Sequence, residues 1–81
     1  MLKPGLGEAL NAQITEETYS AYLYWAMAAH FEAHNLPGMA NWMKVQAQEE
    51  LFHASRFFDY VLERGGEVTL GAIAAPPKEW G

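Results

Sequence analysis

Cysteine is absent from the 81 residues, which excludes a disulfide framework and any thiolate metal site. Basic residues are scarce: five Lys and Arg stand against ten Asp and Glu, for a formal net charge of −5. That balance argues against a nucleic-acid-binding surface, which needs clustered positive charge. It reads first as ordinary solubilising charge, with some capacity to draw in cations. No apolar run is long enough to span a membrane, because Glu or His interrupts each one. The opening Met1-Leu2-Lys3-Pro4-Gly5 lacks the apolar run of a signal peptide. Together with the missing cysteine, these absences point to the cytoplasm. No strand pattern precedes Gly5-Leu6-Gly7 or Gly65-Gly66, so neither reads as a phosphate loop. Ser20, Ser55 and Thr18 lack the Ser/His/Asp arrangement that nucleophilic catalysis needs.

What is present is apolar and helical. The hydrophobic fraction is 51%, with three Trp, four Tyr and four Phe, which sets the chain apart from disordered compositions. The length allows one small domain, 1–81. Pro4 fits the first turn of a helix, where its missing N–H costs nothing. A first helix is expected from about 6 to 34, and after Gly7 it contains neither Gly nor Pro. Asn35-Leu36-Pro37-Gly38 breaks it: Asn35 can take the left-handed cap conformation and Pro37 can open a new helix. A second helix follows from about 37 to 64 and stops at Gly65-Gly66. So short a break makes the pair an antiparallel hairpin. Residues 65–81, extended at Val68-Thr69-Leu70-Gly71 and broken by Pro76-Pro77, read as a connector or tail ending on Trp80-Gly81. Two helices packed only on each other cannot hide so many aromatics, so the chain is expected to bury its apolar faces against another chain or to be part of a longer one.

Alternating steps of four and three along the first helix trace Leu10, Ile14, Glu17, Ala21, Tyr24, Ala28 and Phe31. The same steps along the second trace Met39, Met43, Gln46, Glu50, His53, Phe57 and Tyr60. Such stripes mark the face a helix turns toward its partners. A carboxylate there is costly unless something pairs with it, and a metal ion suits two carboxylates and an imidazole. With Leu36 as the middle of the turn, Glu17 and His53 each lie about 26–28 Å from it and Glu50 about 21 Å, at 1.5 Å per residue. The three are therefore level in the hairpin. Glu50 and His53, three apart, share a helical face. Carboxylate oxygen with imidazole nitrogen suits iron, manganese or zinc. Taken singly, a Glu-x-x-His is common on solvated faces and a lone stripe His is usually a satisfied core residue; the coincidence of three ligands at one level carries the metal reading. One Glu and one Glu-x-x-His make half the ligand set of a di-iron carboxylate bundle.

The remaining candidates read as structural. Met27, Met39 and Met43 suit core packing better than a soft-metal or haem site. Trp25 and Trp42 read as packing or intersubunit residues. His30 and His34, four apart near the helix end, read as solvated rather than as a surface metal pair. Glu16, Glu32, Glu63 and Lys44 read as surface charge.

At these residues the chain resembles the ferritin family, the bacterial non-haem ferritins in particular. The matching stretches are Met1-Leu2-Lys3-Pro4, Leu10-Asn11-Ala12-Gln13, Glu17-Thr18-Tyr19-Ser20, Tyr24, Ala47-Gln48-Glu49-Glu50 with His53, and Phe58-Asp59-Tyr60. The resemblance implies an all-α fold in which this hairpin is half of a ferritin-like four-helix bundle. It implies oxidation of Fe(II) to Fe(III) at a di-iron ferroxidase centre and storage of the ferric mineral in a hollow cage. Glu17, Glu50 and His53 match the first iron site, Glu50 the carboxylate bridging to a second iron, Tyr24 a tyrosine beside the centre, and Glu49 a ligand of a third iron. Chains of the family are longer, and the remaining ligands of the second iron are missing here. The expected partner is therefore a C-terminal half or, in a homo-oligomer, a second copy of the hairpin; the first is preferred because the match is to the longer, single-chain branch. The alternatives kept open are another ferritin-like di-iron or di-manganese protein, such as a peroxide scavenger or oxygenase, and a metal-free structural helical module.

Overall fold

A computed structural model describes residues 2–79. Two helices make up the fold: α1, Leu6–Ala33, and α2, Pro37–Glu63. Both expected spans hold to within a residue at their C-termini. Pro4 departs from expectation, because it lies ahead of the helix rather than in its first turn. The Leu6 amide donates to the Lys3 carbonyl at 3.1 Å, closing a turn over Pro4 and Gly5. Gly5 has φ +83°, the left-handed value that the third position of a type II turn demands, and Pro4 supplies the fixed φ ahead of it.

Each helix ends in the same way. At the end of α1 the Leu36 amide donates to the Phe31 carbonyl (2.9 Å) and the Asn35 amide to the Glu32 carbonyl (3.2 Å). At the end of α2 the Gly66 amide donates to Val61 (2.8 Å) and the Gly65 amide to Leu62 (3.1 Å). Asn35 (φ 58°) and Gly65 (φ 74°) take the left-handed conformation. These are Schellman caps, which return two otherwise orphaned carbonyls to use. Pro37 opens α2 where its missing N–H has no partner to lose, so the chain reverses within three residues and α2 runs back along α1.

The seam between the helices is built from small side chains. α1 contributes Ile14, Ala21 and Ala28, spaced by seven; α2 contributes Ala40, Ala47, Ala54 and Val61, also spaced by seven, with Met43. A strict seven-residue repeat keeps one line of contact in register along a gently supercoiled pair, and alanines let the backbones approach closely. The expected stripe on α2 is corrected here. Of its members only Met43 is buried; Gln46, Glu50 and Phe57 are half-buried, and Met39, His53 and Tyr60 are exposed. The true seam lies one position further along the chain, on the alanines. On α1 the stripe divides: Ile14, Ala21 and Ala28 enter the seam, while Leu10, Glu17, Tyr24 and Phe31 lie half-buried beside it. The polar line thus flanks the helix contact and opens onto a groove.

The connector returns along α1. Asn11 fastens its start: its side-chain amide donates to the Glu67 carbonyl at 2.9 Å and to the Gly7 carbonyl at 3.0 Å, and its Oδ1 accepts from the Thr69 amide at 2.9 Å. Gly71 then passes Thr15, Ile73 reaches Tyr22 and Trp25, and Ala75 to Lys78 border the last turns of α1. The eleven steps from Glu67 to Lys78 could cover about 36 Å at about 3.3 Å each if extended, against about 33 Å of helix for the twenty-two steps from Asn11 to Ala33 at about 1.5 Å each. One extended strand of chain therefore matches the helix it lies on. Trp80 and Gly81, expected in this connector, lie outside the described residues. No helix among the described residues is long and apolar enough to cross a membrane.

Candidate metal centre

Glu17 comes from the middle of α1, Glu50 and His53 from the middle of α2. The antiparallel hairpin brings them together as the residue count requires. One ligand atom from each side chain lies within 4.8 Å of the others. His53 Nδ1 is 3.6 Å from Glu17 Oε2 and 4.0 Å from Glu50 Oε2, so Nδ1 is the ring atom turned toward both carboxylates. The side chains of Glu17 and Glu50 keep 16% and 19% of their exposure, that of His53 48%. The carboxylates are thus largely sheltered while the imidazole forms an open edge. The cluster borders a groove of about 620 Å³, whose lining also includes Leu6, Leu10, Arg56, Phe57 and Tyr60. A mostly apolar groove around a few convergent polar groups is the usual form of a binding site.

The electrostatics of the cluster are those of two neighbouring carboxyls whose pKa values are pushed apart. The Glu50 carboxyl beside it is the main influence holding Glu17 below the ordinary carboxylate range; Gln13 and His53 act in the same direction, against partial burial. Glu50 is pushed up, first by its hydrogen bond with Glu17, then by loss of water and by the negative charge of Glu17 and Glu49, with His53 opposing. Of the two carboxyls, Glu50 is therefore the one that takes up a proton first as pH falls, and Glu17 the one that stays ionised longer. A divalent cation between the two carboxyls would favour the ionised form of both. Its chemistry fits the donors: an ion about 2.1 Å from each ligand atom spans donors up to about 4.2 Å apart, so the cluster needs to close by only about 0.6 Å.

The other expected site residues fall outside this group. Tyr24 is half-buried, packed against Ala28, Ala40 and Met43, two turns along from Glu17. Glu49 is exposed; it acts on Glu50 through its charge and is not one of the three converging ligands. Two neighbours were not singled out from the sequence. Gln13 Nε2 donates to Glu17 Oε1 at 2.8 Å, fixing the carboxylate from one turn away; its spacing of four from Glu17 was the available signal. Arg56 lines the groove, three residues beyond His53, and its guanidinium lies 5.8 Å from the Phe52 ring centre.

Comparison with known proteins gives a consistent result. The family model described as a ferritin-like domain matches residues 7–81. The chain is 41% identical over 81 residues to the bacterial non-heme ferritin of Bacteroides fragilis, covering all of this chain and 51% of that one. It is 40% identical over 76 residues to the bacterial non-heme ferritin of Staphylococcus aureus, covering 94% and 46%. Among solved structures it resembles a closed form of the Archaeoglobus fulgidus ferritin engineered by site-directed mutagenesis, with 54% identity and a TM-score of 0.95, covering 99% of this chain and 49% of that one. The open-pore ferritin of the same archaeon gives 54% identity and a TM-score of 0.94 over 98% and 48%. The chain spans about half the length of the relatives it matches. With its two helices, their caps and the connector all aligned to ferritins, the chain belongs to the ferritin family.

Proposed function

We propose that this chain acts in iron storage and detoxification, holding Fe(II) as the substrate of a di-iron ferroxidase centre. The observation that carries the reading is the convergence of Glu17, Glu50 and His53 at one level of the hairpin. Glu17 and Glu50 supply anionic oxygen and His53 supplies Nδ1, a donor set suited to iron. Gln13 holds the Glu17 carboxylate in place. Glu50 would offer one carboxylate oxygen to this iron and its second oxygen to a second iron. Each Fe(II) yields one electron to dioxygen or peroxide, and the anionic ligands favour the ferric product, which hydrolyses and passes to mineral. By the family resemblance Tyr24, two turns along α1 from Glu17, is the tyrosine associated with this centre, and Glu49 is the candidate ligand for a further iron. The remaining ligands and the cover for the exposed groove come from two more helices, supplied by further chain or by a second copy.

The experiment is anaerobic loading with Fe(II) followed by exposure to dioxygen, read by ferric absorbance and by the size of the mineral core. The reading requires oxidation faster than in buffer, growth of a ferric core, and loss of both in the Glu17→Ala plus His53→Ala variant. Oxidation without a core would instead favour a di-iron oxygenase or peroxide scavenger. Equal behaviour of the double variant would defeat the site.

A further inference from the structure

The two oxygens of the Glu17 carboxylate have different neighbours. Oε1 accepts from Gln13 Nε2 at 2.8 Å, a contact made within α1. Oε2 faces α2 and lies 3.6 Å from His53 Nδ1. Helix geometry accounts for the division. Residues four apart share a face, and helical side chains lean toward the N-terminus of their helix. The Glu17 carboxylate therefore extends back over the turn that carries Gln13. An ionised carboxylate can only accept, so the nitrogen of the Gln13 amide, and not its oxygen, must meet Oε1. Gln13 is half-buried and the Glu17 side chain is largely sheltered, so water competes less for this bond than at an open surface.

We propose that Gln13 is a positioning residue for the metal centre: it retains one Glu17 oxygen on α1 and presents the other to an ion held between the helices. Glu17 then ligates through a single oxygen, the one turned toward His53. A glutamate has several rotatable bonds, and fixing them before the ion arrives removes an entropy loss that binding would otherwise carry. Partners that orient a ligating carboxylate act on metal affinity in this way. An uncharged donor suits the task, because Lys or Arg in its place would bring positive charge toward a site that takes a cation. The inference rests on the reading of Glu17 as a metal ligand given above; it adds which oxygen binds and what selects it.

The test uses the whole chain and Co(II) as the probe, with titration followed by absorbance. Gln13→Leu removes the donor while keeping a side chain of similar helix preference. Its Co(II) affinity falls by roughly 10-fold to 100-fold, the scale for losing a partner of a metal ligand. In a Glu17→Ala background the same substitution has no further effect, because Gln13 acts only through Glu17; a general disturbance of the helix or groove would persist there. Circular dichroism shows the helices intact in each variant. In crystals of the parent loaded with Co(II), the ion is bonded to the Glu17 oxygen that Gln13 does not hold. The inference is overturned if Gln13→Leu binds Co(II) as the parent does, if its loss of affinity persists in full without Glu17, or if the ion bonds to both Glu17 oxygens. Failure of the metal reading itself gives a different pattern: Glu17→Ala alone then binds Co(II) as tightly as the parent, which overturns both.

Discussion

Ala47 has no exposed surface and lies at the centre of the seam, three residues before Glu50. Replacing it with Leu asks that seam to accept a branched side chain at a position with no exposed surface. Overpacking of a core costs about 1–3 kcal/mol, and the helices relieve it by moving apart. For a domain of this size each kcal/mol shifts Tm by roughly 4–8 °C, so the melting point of Ala47→Leu falls by about 4–24 °C. The consequence for the site is larger in kind. Glu17 belongs to one helix and Glu50 and His53 to the other, and their ligand atoms are already 4.8 Å apart at the widest. A single ion at about 2.1 Å from each donor tolerates about 4.2 Å. Separating the helices by a further ~1 Å would leave an ion bound to Glu50 and His53 alone, so divalent-metal affinity falls together with stability. Ala12→Leu, at an exposed position of α1, is the control and stays within about 0.5 kcal/mol of the parent. The assays are thermal melting by circular dichroism and Zn(II) titration. An Ala47→Leu chain that melts with the parent and binds Zn(II) equally well would refute the claim that the alanine seam sets the ligand spacing.

Three other perturbations follow from single contacts. A Cβ on Gly66 would lie 2.5 Å from Leu2 Cδ1, 2.9 Å from Val61 Cγ1 and 3.1 Å from the Val61 carbonyl, so Gly66→Ala loosens the α2 cap and costs about 1–3 kcal/mol; an unchanged denaturation midpoint would contradict this. Asn11→Ala removes three hydrogen bonds and frees the start of the connector, which amide exchange reads as lost protection at Thr69 with α1 and α2 unaffected. Glu50 holds its proton above the ordinary carboxylate range while Glu17 is ionised below it. Metal must therefore displace a proton from Glu50 at low pH, and affinity rises as pH climbs through that raised pKa and then levels. Glu50→Gln removes this component of the pH profile; identical profiles for variant and parent would show that Glu50 is not the competing group.

Much of the fold was legible because its signals are local. The absence of Gly and Pro after Gly7, the cap at Asn35 and the Gly65-Gly66 stop set both helices and forced the hairpin. The level placement of Glu17, Glu50 and His53 followed from counting residues outward from Leu36, and the side chains do converge. The seam of α2 was less legible. The stepping pattern followed large and polar side chains, Gln46, Glu50 and His53, whereas the contact is made by Ala40, Ala47 and Ala54, whose small size is what draws the helices together. Pro4 suits the first turn of a helix and the second position of a turn equally well, and the positive φ of Gly5 that decides for the turn is a property of the backbone. The role of Gln13 depends on which way its side chain turns, and the course of residues 67–79 along α1 depends on contacts more than fifty positions distant in sequence, such as Asn11 with Glu67 and Thr69. Neither is written in any local pattern.

The central claim is that one iron ion is shared by Glu17, Glu50 and His53. Anomalous diffraction at the iron edge from crystals loaded anaerobically with Fe(II) measures it directly. The account predicts a peak about 2.1 Å from a carboxylate oxygen of Glu17, a carboxylate oxygen of Glu50 and Nδ1 of His53. A peak ligated by Glu50 and His53 without Glu17, or no peak in the groove at saturating Fe(II), would contradict it.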